Sequence, residues 1–313
     1  MTDIRPLKLS DRPKVGEYLR RYPPEVSELT FTNLFVWRHS RPIFVAEVED
    51  SMVFFTKGGD GSGKAFILGH PLGEASLPGF AEGLREDVAG FIRIPEATAR
   101  TLEAADLVVA PDRDNSDYVY RVTDLAELEG RHYSKKRNHI KQCLSDYACQ
   151  YEPLSSSLVS ECLDMQDRWC EARQCGHHPG LCKEYIAIRE MFDHYEKLQL
   201  LGGVIRIDGA VQAYAVGEAL RPETAVCHFE KGMPGFQGLG QLVNQWFAKN
   251  ALQGFQFENR EQDLGIPGLR QAKKSYHPAH MVNKFNAWFS PADTGLPLPV
   301  DPHECAKHGV DEA

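Results

Sequence analysis

The chain has 313 residues, more than one compact domain usually holds and a comfortable length for two. Its 42% hydrophobic and 25% charged residues are an ordinary globular composition, which excludes disorder, collagen and coiled coil as its main description. Thirty-five Lys and Arg against 44 Asp and Glu leave a net charge of -9, the wrong sign for coating duplex DNA, although a local basic site can persist in an acidic protein.

No apolar run approaches the roughly 18 to 20 residues that cross a bilayer. The opening residues, Met1 to Pro6, hold no apolar stretch of the kind a signal peptide needs. A soluble, cytoplasmic chain without a transmembrane segment is expected.

Asp11 and Pro13 open a helix with Val15, Tyr18 and Leu19 as its apolar stripe, and Pro23-Pro24 stop it. Residues 27–38 read as a second helix. Two β-rich runs, 43–48 and 52–55, flank the polar turn Glu49-Asp50-Ser51 and predict a hairpin. A glycine-rich loop at 58–63 then leads to a strand at 65–68. That loop lacks the GxxxxGK[ST] order of a phosphate-binding loop, because Ala65 follows Lys64. Short helices and strands alternate to about Leu125.

The second half repeats the plan. Val159, Cys162, Leu163, Gln166, Trp169 and Cys170 have helical spacing, and a further helix spans about 183–197. Asp208-Gly209 between 203–207 and 210–216 is a strong hairpin signal, and a strand follows at 224–230. Each half therefore reads as a mixed sheet flanked by helices. Residues 290–313, with Pro291, Pro297, Pro299 and Pro302, are expected to form an extended tail.

Eight cysteines fall in no CxxC pair, so free thiols are expected. Cys170, Cys175, His177, His178 and Cys182 cluster, but at spacings too irregular for zinc, and no metal is expected.

Three segments carry candidate chemistry. Gly235, Gly238 and Gly240 lie between the 224–230 strand and a helix faced by Leu239, Leu242, Val243, Trp246 and Phe247. Glycines there either let Gly238, Leu239, Gly240 and Gln241 hold an anion at the helix start or simply make a positive-φ turn. Polar residues Glu258 to Gly265 follow a strand at 254–257, then Arg270, Lys273, Lys274 and Tyr276 follow Pro267, a plausible first helical residue. The run 131–141 holds five positive charges and no acid. Helical geometry puts Tyr133, Ile140, Leu144 and Tyr147 on its apolar stripe with Lys136 and Arg137 flanking it, so these two are the functional candidates. In the 224–230 strand, alternation places Val226, His228 and Glu230 on one face and Cys227 and Phe229 on the other. Glu230 is then a general base, an amine binder or a structural ion pair.

Four stretches carry a family resemblance. They are Asn33-Leu34-Phe35-Val36-Trp37, Lys135-Lys136-Arg137-Asn138-His139, Phe229-Glu230-Lys231-Gly232 and the long run from Asn259 through Asp263-Leu264-Gly265-Ile266-Pro267-Gly268 to Tyr276. Over about residues 3–290 the chain resembles a bacterial family related to the C-terminal catalytic domain of phosphatidylglycerol lysyltransferase. The resemblance implies an α/β fold of two tandem GCN5-related N-acetyltransferase-like domains, 1–127 and 128–290, with the active cleft in the second and a tail at 291–313. It implies transfer of an aminoacyl group from charged tRNA, or an acyl group from acyl-CoA, with no tightly bound cofactor. The acceptor would be a small molecule or a lipid head group bearing an amine or hydroxyl, and the tRNA acceptor end a partner. Gly238 and Gly240 match the last two glycines of the coenzyme A loop, while Gly235 stands where a Gln or Arg is usual.

On this reading Glu230 or Asp263 takes the acceptor proton, Tyr276 protonates the leaving group and Asn259 or a backbone N–H stabilises the oxyanion. Lys136, Arg137, Arg270 and Lys274 hold donor phosphates, and Glu261 and His228 contact substrate. The alternative is a non-catalytic module that keeps the fold and binds a nucleotide or a partner.

Overall fold

The computed structural model describes residues 4–57 and 64–295. The first stretch forms β1 (Arg5–Pro6), α1 (Arg12–Arg21), α2 (Phe31–Val36), β2 (Ile43–Val48) and β3 (Ser51–Lys57). Then come β4 (Ala65–Leu68), α3 (Leu77–Leu84), β5 (Val88–Pro95), α4 (Glu96–Glu103), β6 (Val108–Pro111), β7 (Asp117–Arg121) and α5 (Val122–Glu127). The chain continues through α6 (Ser134–Asp146), β8 (Gln150–Pro153), α7 (Val159–Ala172), α8 (Pro179–Asp193) and α9 (Tyr195–Leu198). It ends with β9 (Leu201–Ile207), β10 (Ala210–Arg221), β11 (Thr224–Gly232), α10 (Leu239–Ala251), β12 (Phe257–Asn259), α11 (Pro267–Lys274), β13 (His280–Val282) and β14 (Lys284–Trp288).

These strands build two seven-stranded mixed sheets, in the orders β1-β2-β3-β4-β5-β14-β6 and β13-β7-β12-β11-β10-β9-β8. Each has one parallel pair, β4 with β5 and β11 with β12, and its other pairs are antiparallel. Helices flank both sheets, as expected. The strands are shared across the expected boundary between 127 and 128, however. β7 pairs with β12 and β13 of the second sheet, while β14 lies between β5 and β6 of the first. A continuous core joins the halves, packing Leu34, Trp37 and Phe54 together with Met165, Phe192 and Phe229.

The crossing strands meet in a buried polar cluster. Lys284 Nζ at the start of β14 lies 2.6 Å from both Glu28 Oε2 and Asp117 Oδ1. Asp117 also accepts from the Ser27 hydroxyl and amide and from Asn259 Nδ2, each at 3.0 Å. This explains why the helix expected over 27–38 is confined to α2. The Thr30 side chain caps it by accepting from Asn33 N at 3.1 Å, so the helix begins at Phe31, while Ser27 and Glu28 sit in the turn closed by Leu29 N on Val26 O and reach the cluster from there.

Local expectations fare unevenly. The hairpin turn is realised, with Glu49 and Asp50 at φ 48° and 59°, as a two-residue turn between β2 and β3 requires. In α6 the stripe is rotated: Cys143 is buried and Leu144 is 45% exposed. The strand expected at 254–257 lies later, at Phe257–Asn259, because residues 256 and 257 first bond back to Glu223. Cys170 and Cys175 form a disulfide rather than free thiols; their Cα atoms are 5.1 Å apart, within bridging reach. Residues Pro291–Gly295 make a short 3-10 turn instead of extended chain, and the rest of the expected tail and the 58–63 loop lie outside the described residues.

At the head of α10, Gly238 has φ 84°, and a Cβ there would stand 2.1 Å from the His139 carbonyl oxygen of α6. Gly235 has φ 95° with open space around it. Gly238→Ala should therefore lower stability by about 2 kcal/mol or more and Gly235→Ala by only about 1. Urea unfolding of the two variants checks this, and equal losses would contradict the packing role.

Candidate functional site

The parallel pair β11–β12 stays in register for three positions, Thr224 with Phe257, Ala225 with Glu258 and Val226 with Asn259. β12 then stops, while β11 runs on to Gly232. The strands part because the chain after Asn259 folds back onto β7, with hydrogen bonds from Arg260 N to Tyr118 O and from Tyr118 N to Glu261 O. Glu261 and Leu264 adopt φ 56° and 57°, left-handed conformations that turn the segment away from β11. The gap is a cleft of about 370 Å³ whose lining includes His228, Glu230, Lys231, Arg260, Glu261 and Lys273.

A β-bulge shapes the cleft wall. Val216 pairs with Phe229 and Gly217 with Cys227, so His228 is the extra residue on β11. Simple alternation therefore fails: Cys227 packs with the core beneath α10, and Phe229 packs with the core shared between the halves, against Trp37.

His228 is clamped, with Nδ1 3.0 Å from Glu261 Oε1 and Nε2 3.0 Å from Glu218 Oε1. Burial alone would lower its pKa, but the hydrogen bonds to Glu218 and Glu261 outweigh it and hold the ring at about 9, a cation at neutral pH. Glu261 also accepts from Asn33 Nδ2 at 3.3 Å, which ties the cleft to α2. Lys231 Nζ is 2.6 Å from Glu184 of α8 and lies over the Trp169 ring.

Glu230 is at the centre. Its Oε2 accepts from Arg260 at 2.9 Å and from Asn244 Nδ2 of α10 at 3.2 Å. The Arg260 guanidinium also lies 5.4 Å from the Tyr276 ring centroid, and Lys136 Nζ sits 3.5 Å from the same centroid on a 2.8 Å bond to Ser275 Oγ. Burial and then the Arg260 charge lower the Lys136 pKa to about 8, and the same two causes lower that of Lys273 to about 8. Lys273 Nζ donates to the Arg260 carbonyl. Thus Glu230, Tyr276 and Lys136 converge around a guanidinium that carried no assigned role in the sequence reading.

Several expected site residues are held in hydrogen bonds outside this group. Asn259 is buried, with one Nδ2 hydrogen bond to Asp117 at 3.0 Å and its oxygen accepting Glu261 N at 2.8 Å, so its side chain is turned into the Asp117 cluster. Asp263 accepts from Tyr118 at 2.6 Å, from Arg270 at 2.8 and 2.9 Å and from Gly265 N at 2.9 Å. Burial raises its pKa, but the Arg270 and Tyr118 bonds bring it down to about 2, which makes it a poor proton acceptor. Arg270 is shared between Asp263 and Asp114, and Arg137 donates to the carbonyls of Leu128 and Gly130. Lys274 is exposed at the end of α11, and Leu239 is buried in the core while Gly240 and Gln241 occupy the first turn of α10.

Glu258, Arg260 and Lys273 lie in the segments the sequence singles out but carry no individual role there, and Glu218 is not marked by the sequence at all. Period-2 alternation started at Phe257 would have found the first two, since Glu258 and Arg260 share a face and Asn259 points the other way. Among the described residues no group of three or more His, Cys, Asp or Glu could hold a metal, and no helix is long and apolar enough to cross a membrane.

Two mixed sheets with flanking helices, each with one parallel pair, and a polar cleft where the second pair opens, define a GCN5-related acyltransferase-like fold. The family model described as "Phosphatidylglycerol lysyltransferase, C-terminal" matches residues 19–288, and the chain belongs to that family, whose function is aminoacyl transferase-like. A conserved protein of unknown function from Bacteroides thetaiotaomicron is 29% identical with TM-score 0.86, over 93% of this chain and 100% of its own. L-PGS from Bacillus licheniformis is 14% identical with TM-score 0.63, over 91% and 94%. FemX is 8% identical with TM-score 0.58, over 91% and 96%. The last two share the fold with this chain. No curated protein sequence matches it significantly.

Proposed function

We propose that the protein transfers an aminoacyl group from charged tRNA to a hydroxyl or amine acceptor bound in the cleft between β11 and β12. The observation that best supports this is the gathering of Glu230, Tyr276 and Lys136 around Arg260, which with Glu230 lines that cleft. The acceptor oxygen or nitrogen attacks the ester carbonyl while its proton passes to the Glu230 carboxylate. Arg260 and Lys136 stabilise the oxyanion of the tetrahedral intermediate. When the C–O bond to the ribose breaks, the leaving oxygen takes a proton from Tyr276, which regains one from Glu230. The proton lost by the acceptor thus ends on the tRNA. No tightly bound cofactor is involved, and a lipid head group and a small polyol offer the same hydroxyl chemistry as acceptors.

The test uses tRNA carrying a radiolabelled amino acid, with phosphatidylglycerol vesicles and soluble hydroxyl and amine acceptors in separate arms, and acetyl-CoA as the competing donor. Label is expected to move from tRNA to one acceptor class, and Glu230→Gln should slow the transfer by about 100-fold or more. Acetyl transfer without aminoacyl transfer would replace the proposed donor. Binding of either donor, seen as a raised melting temperature, with no transfer to any acceptor would point to a binding module instead.

A further inference from the structure

One buried group beside the site is unexplained by the mechanism above. Glu258 lies in the middle of β12, opposite Ala225 of β11 and Tyr120 of β7, and its side chain is 0% exposed. Neither carboxyl oxygen has a hydrogen-bond partner among the described residues. An apolar residue would fill this position without the cost of several kcal/mol that an unpartnered buried carboxyl carries. Its nearest cation is Arg260, whose Nε stands 3.7 Å from Glu258 Oε1. The same guanidinium is 2.9 Å from Glu230 Oε2. One guanidinium is therefore bracketed by two carboxyls, one in the cleft wall and one beneath it.

We propose that Glu258 is a positioning residue for the transfer: when ionised it draws the Arg260 guanidinium toward itself and frees the Glu230 carboxylate to receive the acceptor proton. This rests on the role given to Glu230 above. The groups facing Glu258 are Arg260 beside it, Lys273 of α11, Glu230 and Cys227 of β11, Tyr120 of β7 and Tyr276 after α11. Burial raises the Glu258 pKa, Arg260 opposes the rise and Glu230 adds to it, leaving it at about 7. Below that pH Glu258 is neutral, Arg260 stays on Glu230 and transfer is slow. Above it the proton has left to water, Glu258 competes for the guanidinium and transfer is fast.

Two readouts test this on the full chain. In protein labelled with 15N-arginine, the Arg260 Nε–H resonance, assigned by its loss in Arg260→Lys, should move as pH passes about 7 in the wild type and stay still in Glu258→Gln. The transfer rate should climb about tenfold per pH unit below the midpoint in the wild type, and remain at the low plateau across the range in Glu258→Gln. If Glu258→Gln fails to fold, Glu258→Asp keeps the ionisation with a shorter reach, so the resonance should move by a smaller amount. An Arg260 signal that is constant with pH in the wild type, or that moves equally in Glu258→Gln, overturns the proposal. If no donor supports transfer, the functional reading fails while the resonance still decides whether Glu258 and Glu230 compete for Arg260.

Discussion

Lys284→Met is expected to lower folding stability by about 3–5 kcal/mol, the cost of removing one partner from a buried ion cluster. Lys284 is completely buried, and its ammonium is the shared partner of Glu28 and Asp117. Burial works against its charge, but Asp117 and Glu28 more than compensate and raise its pKa. Met fills much the same volume, so the loss isolates the charge: two carboxylates would be left close together in the core without a cation. Arg93 stands 3.8 Å from Glu28 but is itself paired with Asp112, so it offers only partial relief. Denaturant unfolding measures the loss. Adding Asp117→Asn to Lys284→Met should recover part of it, because that removes one stranded charge. A loss below about 1 kcal/mol for Lys284→Met would show that the cluster holds little of the fold.

The largest catalytic effect is expected at Arg260. Arg260→Met should reduce transfer by about 100- to 1000-fold in kcat, the usual consequence of losing a preorganised donor at an oxyanion. Arg260→Lys should recover little of this. One planar guanidinium presents its terminal nitrogen to Glu230 and its Nε toward Glu258, whereas an ammonium is a point charge that serves one of them. Circular dichroism and the melting temperature of Arg260→Lys separate a chemical loss from misfolding. Full activity in Arg260→Lys would remove the guanidinium geometry from the mechanism.

Much of this architecture was legible in the sequence where local physics decides it. The Glu49-Asp50 and Asp208-Gly209 turns, the Pro267 helix start and the apolar face of α10 follow from short-range rules, and the long motif from Asn259 to Tyr276 marked both the family and the site region. Individual roles within that motif depend on partners far away in the chain. Asp117 and Glu28 lie 167 and 256 residues from Lys284, so nothing local marks Asn259 as part of their cluster. The bulge at His228 follows from pairing with β10, which the alternation within β11 does not reveal. Asp263 looked like a base because its composition is that of a base; the Tyr118 and Arg270 bonds that make it a poor one come from β7 and α11.

The exchange of β7 and β14 between the sheets also governs how the molecule is made. During synthesis the first sheet is left with a gap between β5 and β6 until residues 284–288 emerge. β7, for its part, waits without its neighbours until β12 and β13 have been translated. Such long sequence separations make the closing steps non-local and slow. The cleft, whose floor hangs from β7, therefore matures only when nearly the whole chain is available, and neither half released alone would carry a finished site.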